Sequence, residues 1–218
     1  MIRVTRSFPA PESLAAEAAK PDGKYNLADV TEQLRRDFHD KCYICEIKPV
    51  ADPEVEHRLP HKNNTIPGRK FDWGNLFWAC RHCNNVKNKA KYEAGILDCC
   101  KVDPEEHIQI ELTGDTVMIR AVQADPQTLL TVQLLDEAYN EKNTGIRVAA
   151  CDVRIYQMQK EMGKLYKALG EFGRNPGSRK TNRDLMVLLS RESAFAAVKR
   201  DYIRKHLAEY PELEIYLR

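Results

Sequence analysis

Two Cys-x-x-Cys pairs, Cys42/Cys45 and Cys80/Cys83, constrain this chain more than any other feature. Four thiolates presented as two such pairs can hold one tetrahedral zinc ion. Zinc bound there would pin the 34 intervening residues into one closed module. That gap exceeds the roughly 15–20 residues of a compact zinc ribbon, so the zinc reading leans also on the tryptophan-containing, basic insert between the pairs. The remaining cysteines, Cys99, Cys100 and Cys151, lack ligand spacing and read as buried small hydrophobes. An odd total of seven, four of them in metal-ligand pairs, argues against a secreted disulfide framework. It argues for zinc in a reducing, cytoplasmic setting.

The insert carries Glu56-His57 and then Trp73-Gly74-Asn75-Leu76, and Asn84 directly follows Cys83. Cleaving a phosphodiester requires a base to activate water, a cation to absorb phosphate charge, and stabilisation of the departing oxygen. His57 is the candidate base, because a neutral imidazole near pH 7 can take a proton from water. Glu56 and the amide oxygen of Asn84 suit a hard cation, Mg²⁺ or Mn²⁺. On a regular strand Glu56 and His57 point to opposite faces, so a twist or bulge is needed for both to edge one metal. Asn75, in a turn leading to the second cysteine pair, is expected to bond backbone and hold the His57 loop. Plainer roles stay open: a structural hydrogen bond for His57 and a helix N-cap for Asn84. His61 and His82 are lesser ligand candidates.

Net charge is only +2, but its distribution is uneven. Between His57 and Lys91 stand Arg58, Lys62, Arg69, Lys70, Arg81, Lys87, Lys89 and Lys91, against the single acid Asp72. A four-thiolate zinc site, at about −2, removes part of that excess. What remains predicts a basic surface for phosphate around the candidate site, the alternative being lysines that merely solubilise. The 43% hydrophobic and 30% charged composition is that of a folded soluble protein. No stretch reads as a membrane span or signal peptide.

The pattern beyond the insert predicts an α+β fold in two parts. Residues 1–125 would hold a short helix near Pro11–Leu14 and an amphipathic helix through Val30, Leu34 and Phe38 capped by Asp29. The cysteine module and a hairpin follow, with His107–Leu112 and Val117–Arg120 joined at Thr113-Gly114-Asp115. Residues 126–218 would form a helical body: one helix around Leu129–Leu135, a long one over 146–172, and two more over 180–190 and 192–208. Lys160, Lys164 and Lys167 share one face of the long helix.

Four strings, Cys42-Tyr43-Ile44-Cys45-Glu46, Val55-Glu56-His57-Arg58, Asp72-Trp73-Gly74-Asn75-Leu76 and Cys80-Arg81-His82-Cys83-Asn84-Asn85-Val86-Lys87, together resemble the HNH (ββα-metal) endonuclease superfamily. Within it the chain looks like the HNH component of the Septu anti-phage defence system (PtuB type), a type also encoded beside some retrons. The specific motifs lie in residues 36–100, with looser similarity in the hairpin and in Ala194–Arg200. The resemblance implies a zinc-stapled ββα-metal core with an added hairpin and a C-terminal helical body. It puts the general base on His57, the acidic metal ligand on Glu56, the central asparagine on Asn75 and the final metal ligand on Asn84. The Glu56 position is often Asp in the wider superfamily. Structural zinc falls on Cys42, Cys45, Cys80 and Cys83. It also implies an ABC/SMC-like ATPase partner, and this chain has no Gly-x-x-x-x-Gly-Lys-Ser/Thr loop of its own. DNA is the expected substrate before RNA such as tRNA, although hydroxide attack on phosphorus does not need the 2′-OH and so admits either polymer. A zinc-stabilised nucleic-acid adaptor without turnover is the rival class.

Overall fold

A computed structural model describes residues 1–62, 65–66 and 68–218. The fold mixes helices with small sheets. Among the described residues the strands form two antiparallel two-stranded sheets, β1–β2 and β3–β4.

The first sheet pairs β1 (Pro53–His57) with β2 (Leu76–Cys80), with His57 opposite Leu76 and Pro53 opposite Cys80. Every residue of β2 is buried, as its unbroken run Leu-Phe-Trp-Ala-Cys requires. One face packs on α2 (Ala28–Asp37) and the chain just after it, where the Phe38 and Tyr43 rings lie 5.5 and 4.8 Å from Phe77. At Cys80 the strand passes without a loop into α3 (Arg81–Lys87). That junction puts Cys80 at a strand end and Cys83 in a helical turn.

Asp29 does not cap α2. The N-cap is Leu27, without a side-chain cap bond, and Asp29 already lies inside the helix. Its carboxylate instead accepts from the Ser13 amide at 3.2 Å and hydroxyl at 2.7 Å, tying α1 (Glu12–Ala18) to α2. A tertiary partner joins the local Val30 amide, which donates to the same carboxylate at 3.0 Å.

The hairpin joins β3 (Ile108–Thr113) and β4 (Thr116–Ala121) in register, Thr113 facing Thr116. Two residues remain for the turn, and Gly114 adopts φ +63°, as primed hairpin turns demand. Asp125 caps α4 (Pro126–Asn140), accepting from the Thr128 amide at 3.0 Å, with Pro126 at the first helical position. Thr144 likewise caps α5 (Gly145–Arg174), and Ser178 caps α6 (Arg179–Leu189).

The last helix, α7 (Ala196–Lys205), is shorter than its sequence pattern suggests. Ser193 bonds back to the Leu188 and Ser190 carbonyls, and Phe195 takes a left-handed φ of 48°. Glu46 then supplies the missing cap from across the fold: its carbonyl accepts from the Phe195 amide at 3.2 Å and its carboxylate from the Ala197 amide at 3.3 Å. Buried apolar residues from both halves of the chain, including Leu34, Phe77 and Trp78 with Leu134, Met158 and Leu165, belong to one core cluster.

Candidate active site and metal centre

Cys42 and Cys45 follow α2, while Cys80 and Cys83 flank the β2–α3 junction. Their sulfur atoms all lie within 4.8 Å of one another, and all four residues are buried. This is a site that can hold zinc. Four buried thiolates cannot stay charged beside each other without a cation: burial pushes the Cys42 and Cys83 thiols well up, while hydrogen bonds from Cys42, Cys45 and Cys83 draw Cys80 far down.

The centre also has a cation that sequence reading missed. Arg154 of α5, only 6% exposed, donates from Nη2 to Cys80 Sγ at 3.0 Å. Burial opposes its charge, but the negative charge of the sulfur cluster of Cys45, Cys83 and Cys80 more than offsets that and raises its pKa. Zinc with four thiolates keeps about two negative charges, so a guanidinium there is matched to the site. Two further contacts close the back of the centre. Tyr139 Oη donates to the Cys45 carbonyl at 2.6 Å, and His82 Nε2 donates to the Ala138 carbonyl at 3.0 Å. Burial lowers the His82 pKa to about 4, and its ring is a bridge to α4, outside the cysteine cluster.

Against α3 also lies a cleft of about 390 Å³, walled by Tyr25, Glu56, His57, His61, Asn84 and Lys87. Three sequence candidates, Glu56, His57 and Asn84, therefore share one cavity. His57 is held by its Nε2, 3.0 Å from the Lys70 carbonyl. A carbonyl only accepts, so Nε2 carries the proton and Nδ1 keeps the lone pair. The rings of Tyr25 and His61 pack edge-on at 4.4 and 4.6 Å. Burial lowers the His57 pKa, the Lys70 carbonyl works to raise it, and His61 lowers it further, so the ring is neutral at pH 7.

Asn75 does not line the cleft. Only 4% exposed, it accepts from the Leu59 amide at 2.8 Å and donates to the Leu59 and Arg69 carbonyls at 2.9 and 3.0 Å. Its own carbonyl accepts from the Arg58 amide at 3.0 Å. One side chain thus clamps both ends of the loop that follows His57.

Glu56 is 4% exposed, and both its oxygens are engaged: Oε2 by Tyr43 Oη at 2.7 Å, Oε1 by Lys87 Nζ at 2.5 Å. Asn84 spends its amide nitrogen on Glu54 Oε2 at 2.5 Å, and Arg81 holds the other Glu54 oxygen at 3.1 Å. Sequence reading passed over Glu54. The period of a strand puts residues 54 and 56 on one face, which was the signal available.

The eight basic residues do not make one bare cationic surface. Arg58 is buried, donating to the Ile96 carbonyl at 2.9 Å beside Asp98, and Lys87 is buried on Glu56. Lys62 pairs with Glu93 at 2.5 Å, while Lys89 and Lys91 both reach Glu137 of α4. Arg69 donates to the Pro60 carbonyl, and Lys70 lies over the Phe71 ring. Acids outside the basic window neutralise most of it, which a count along the chain cannot register.

The molecule is thus a mixed α/β protein with a four-cysteine centre backing onto a His/Glu/Asn cleft. No family model matches the chain. Over 125 residues it is 30% identical to Septu protein PtuB of Bacillus mycoides (strain KBAB4), covering 43% of this chain and 42% of that protein. The match therefore spans less than half the length of that relative. Among the described residues, no helix is long and apolar enough to cross a membrane.

Proposed function

We propose that this chain is a metal-dependent HNH endonuclease of prokaryotic anti-phage defence, hydrolysing phosphodiester bonds in nucleic acid, DNA before RNA. The observation that carries this reading is the convergence of His57, Glu56 and Asn84 on one cleft, with the proton of His57 committed to the Lys70 carbonyl. Nδ1 of a neutral imidazole then faces solvent chemistry as a base. It takes a proton from water as the water attacks phosphorus opposite the departing oxygen. Asn75 keeps the imidazole in place through the loop it clamps. Residues 1–125 carry the chemistry and residues 126–218 the helical body that supports it.

The donor set sorts two kinds of metal. Soft thiolates take zinc, while the Glu56 carboxylate and the Asn84 amide oxygen, the atom its bond to Glu54 leaves over, are hard donors for Mg²⁺ or Mn²⁺. Held there, the cation would supply positive charge against the phosphate. Similarity to a Septu PtuB protein supports the defence role, and the HNH-family resemblance implies an ABC/SMC-like ATPase as partner.

The test is cleavage of supercoiled plasmid and of total tRNA with Mg²⁺ or Mn²⁺, with and without that ATPase. Wild type should cut one of the two, and zinc-loaded His57→Ala should not. Binding without cutting in every combination would favour the adaptor.

A further inference from the structure

We infer that Lys87 is the internal counter-ion of Glu56 and competes with a divalent cation for its carboxylate. The inference rests on the metal reading above and adds a regulator to that site. Lys87 and Glu56 are 6% and 4% exposed, and their charged atoms meet at 2.5 Å. A carboxylate this deep is costly to leave without a positive partner. Lys87 meets that need, and Tyr43 holds the opposite oxygen.

A divalent ion on Glu56 would bring two positive charges to the atom that Lys87 already contacts. Like charges at such range repel strongly where water is scarce. The ammonium must then withdraw from Oε1, and it has room to do so. Lys87 is the last residue of α3, on a flexible four-carbon stem, and lines the cleft itself. Its withdrawal also breaks its bond to the His57 carbonyl, now 3.1 Å long. Metal occupancy and the fixing of the histidine's backbone are thereby linked through one side chain. Lys87 is a positioning residue here, since nothing gives it contact with reacting atoms.

The experiment is Mn²⁺ titration by calorimetry on the zinc-loaded full chain, comparing wild type, Lys87→Met, Lys87→Gln and Glu56→Gln. Circular dichroism and zinc content check folding, and Lys87→Gln, which keeps hydrogen-bond donors, covers the case where Lys87→Met does not fold. Removing the competitor should tighten Mn²⁺ binding about tenfold or more, the size expected for one close charge. Without added metal the Lys87 variants should melt lower than wild type, and Mn²⁺ should raise their melting temperature more than it raises that of wild type. Unchanged or weaker Mn²⁺ binding in both Lys87 variants, with Glu56→Gln still abolishing it in wild type, overturns the competition and leaves the metal reading standing. Mn²⁺ binding that ignores Glu56→Gln, or none at all, overturns both.

Discussion

Arg154 and Lys87 solve the same problem at two places. Each is a buried cation set against an anion that folding would otherwise strand: Arg154 against the Cys80 sulfur, Lys87 against Glu56. Replacing Arg154 by Met should weaken zinc retention about 10–100-fold, as loss of a ligand's supporting hydrogen bond generally does. Competition with a chromogenic chelator measures this, and Arg154→Lys should recover part of the loss. His57 gives a pH prediction. Its pKa is lowered from the ordinary 6.5, and only the neutral ring can act as base. Cleavage should therefore stay near its maximum as pH falls through 6.5 and decline only below that. An acid limb in kcat/KM centred at or above 6.5 would contradict the buried environment. His57 and Asn75 were visible as candidates because they sit in short motifs inside the cysteine-bracketed insert. Arg154 was not, because 74 residues separate it from Cys80 and nothing local marks it.

At the level of elements, caps and pairings divide what a chain can announce from what it cannot. The helical pattern after Pro126 is a helix start, and Asp125 caps it, its carboxylate and the amide donor lying within one turn. Asp125→Ala should lower the midpoint of urea unfolding, as loss of a side-chain cap generally does. Asp29 carried a similar signal and was drawn away by Ser13. The start of α7 was illegible for the converse reason, its cap coming from Glu46. The hairpin could be read to within a residue because alternation and a glycine turn are both local. The ion pairs of the basic window were not legible, because Glu137 on α4 answers Lys89 and Lys91 from outside it.

For the whole molecule the cysteine centre is a junction. Its ligands come from the chain after α2, from β2 and from α3, while Tyr139 and Arg154 bring α4 and α5 against it. Stripping zinc should therefore lower the melting temperature of the entire chain in one transition, without leaving residues 126–218 folded as before. Calorimetry with and without a chelator decides this; two separated transitions would mean that the helical body stands alone. The junction also has a consequence for how the protein tolerates change. Within its seven residues α3 supplies Cys83 to one centre and Asn84 and Lys87 to the other. One residue inserted after Cys83 would rotate the rest of the helix by about 100°. The four-cysteine cluster would survive while the cleft lost two of its walls. Deep insertion scanning should therefore find α3 closed to indels even where it accepts substitutions, a stretch of chain whose phase matters more than its composition.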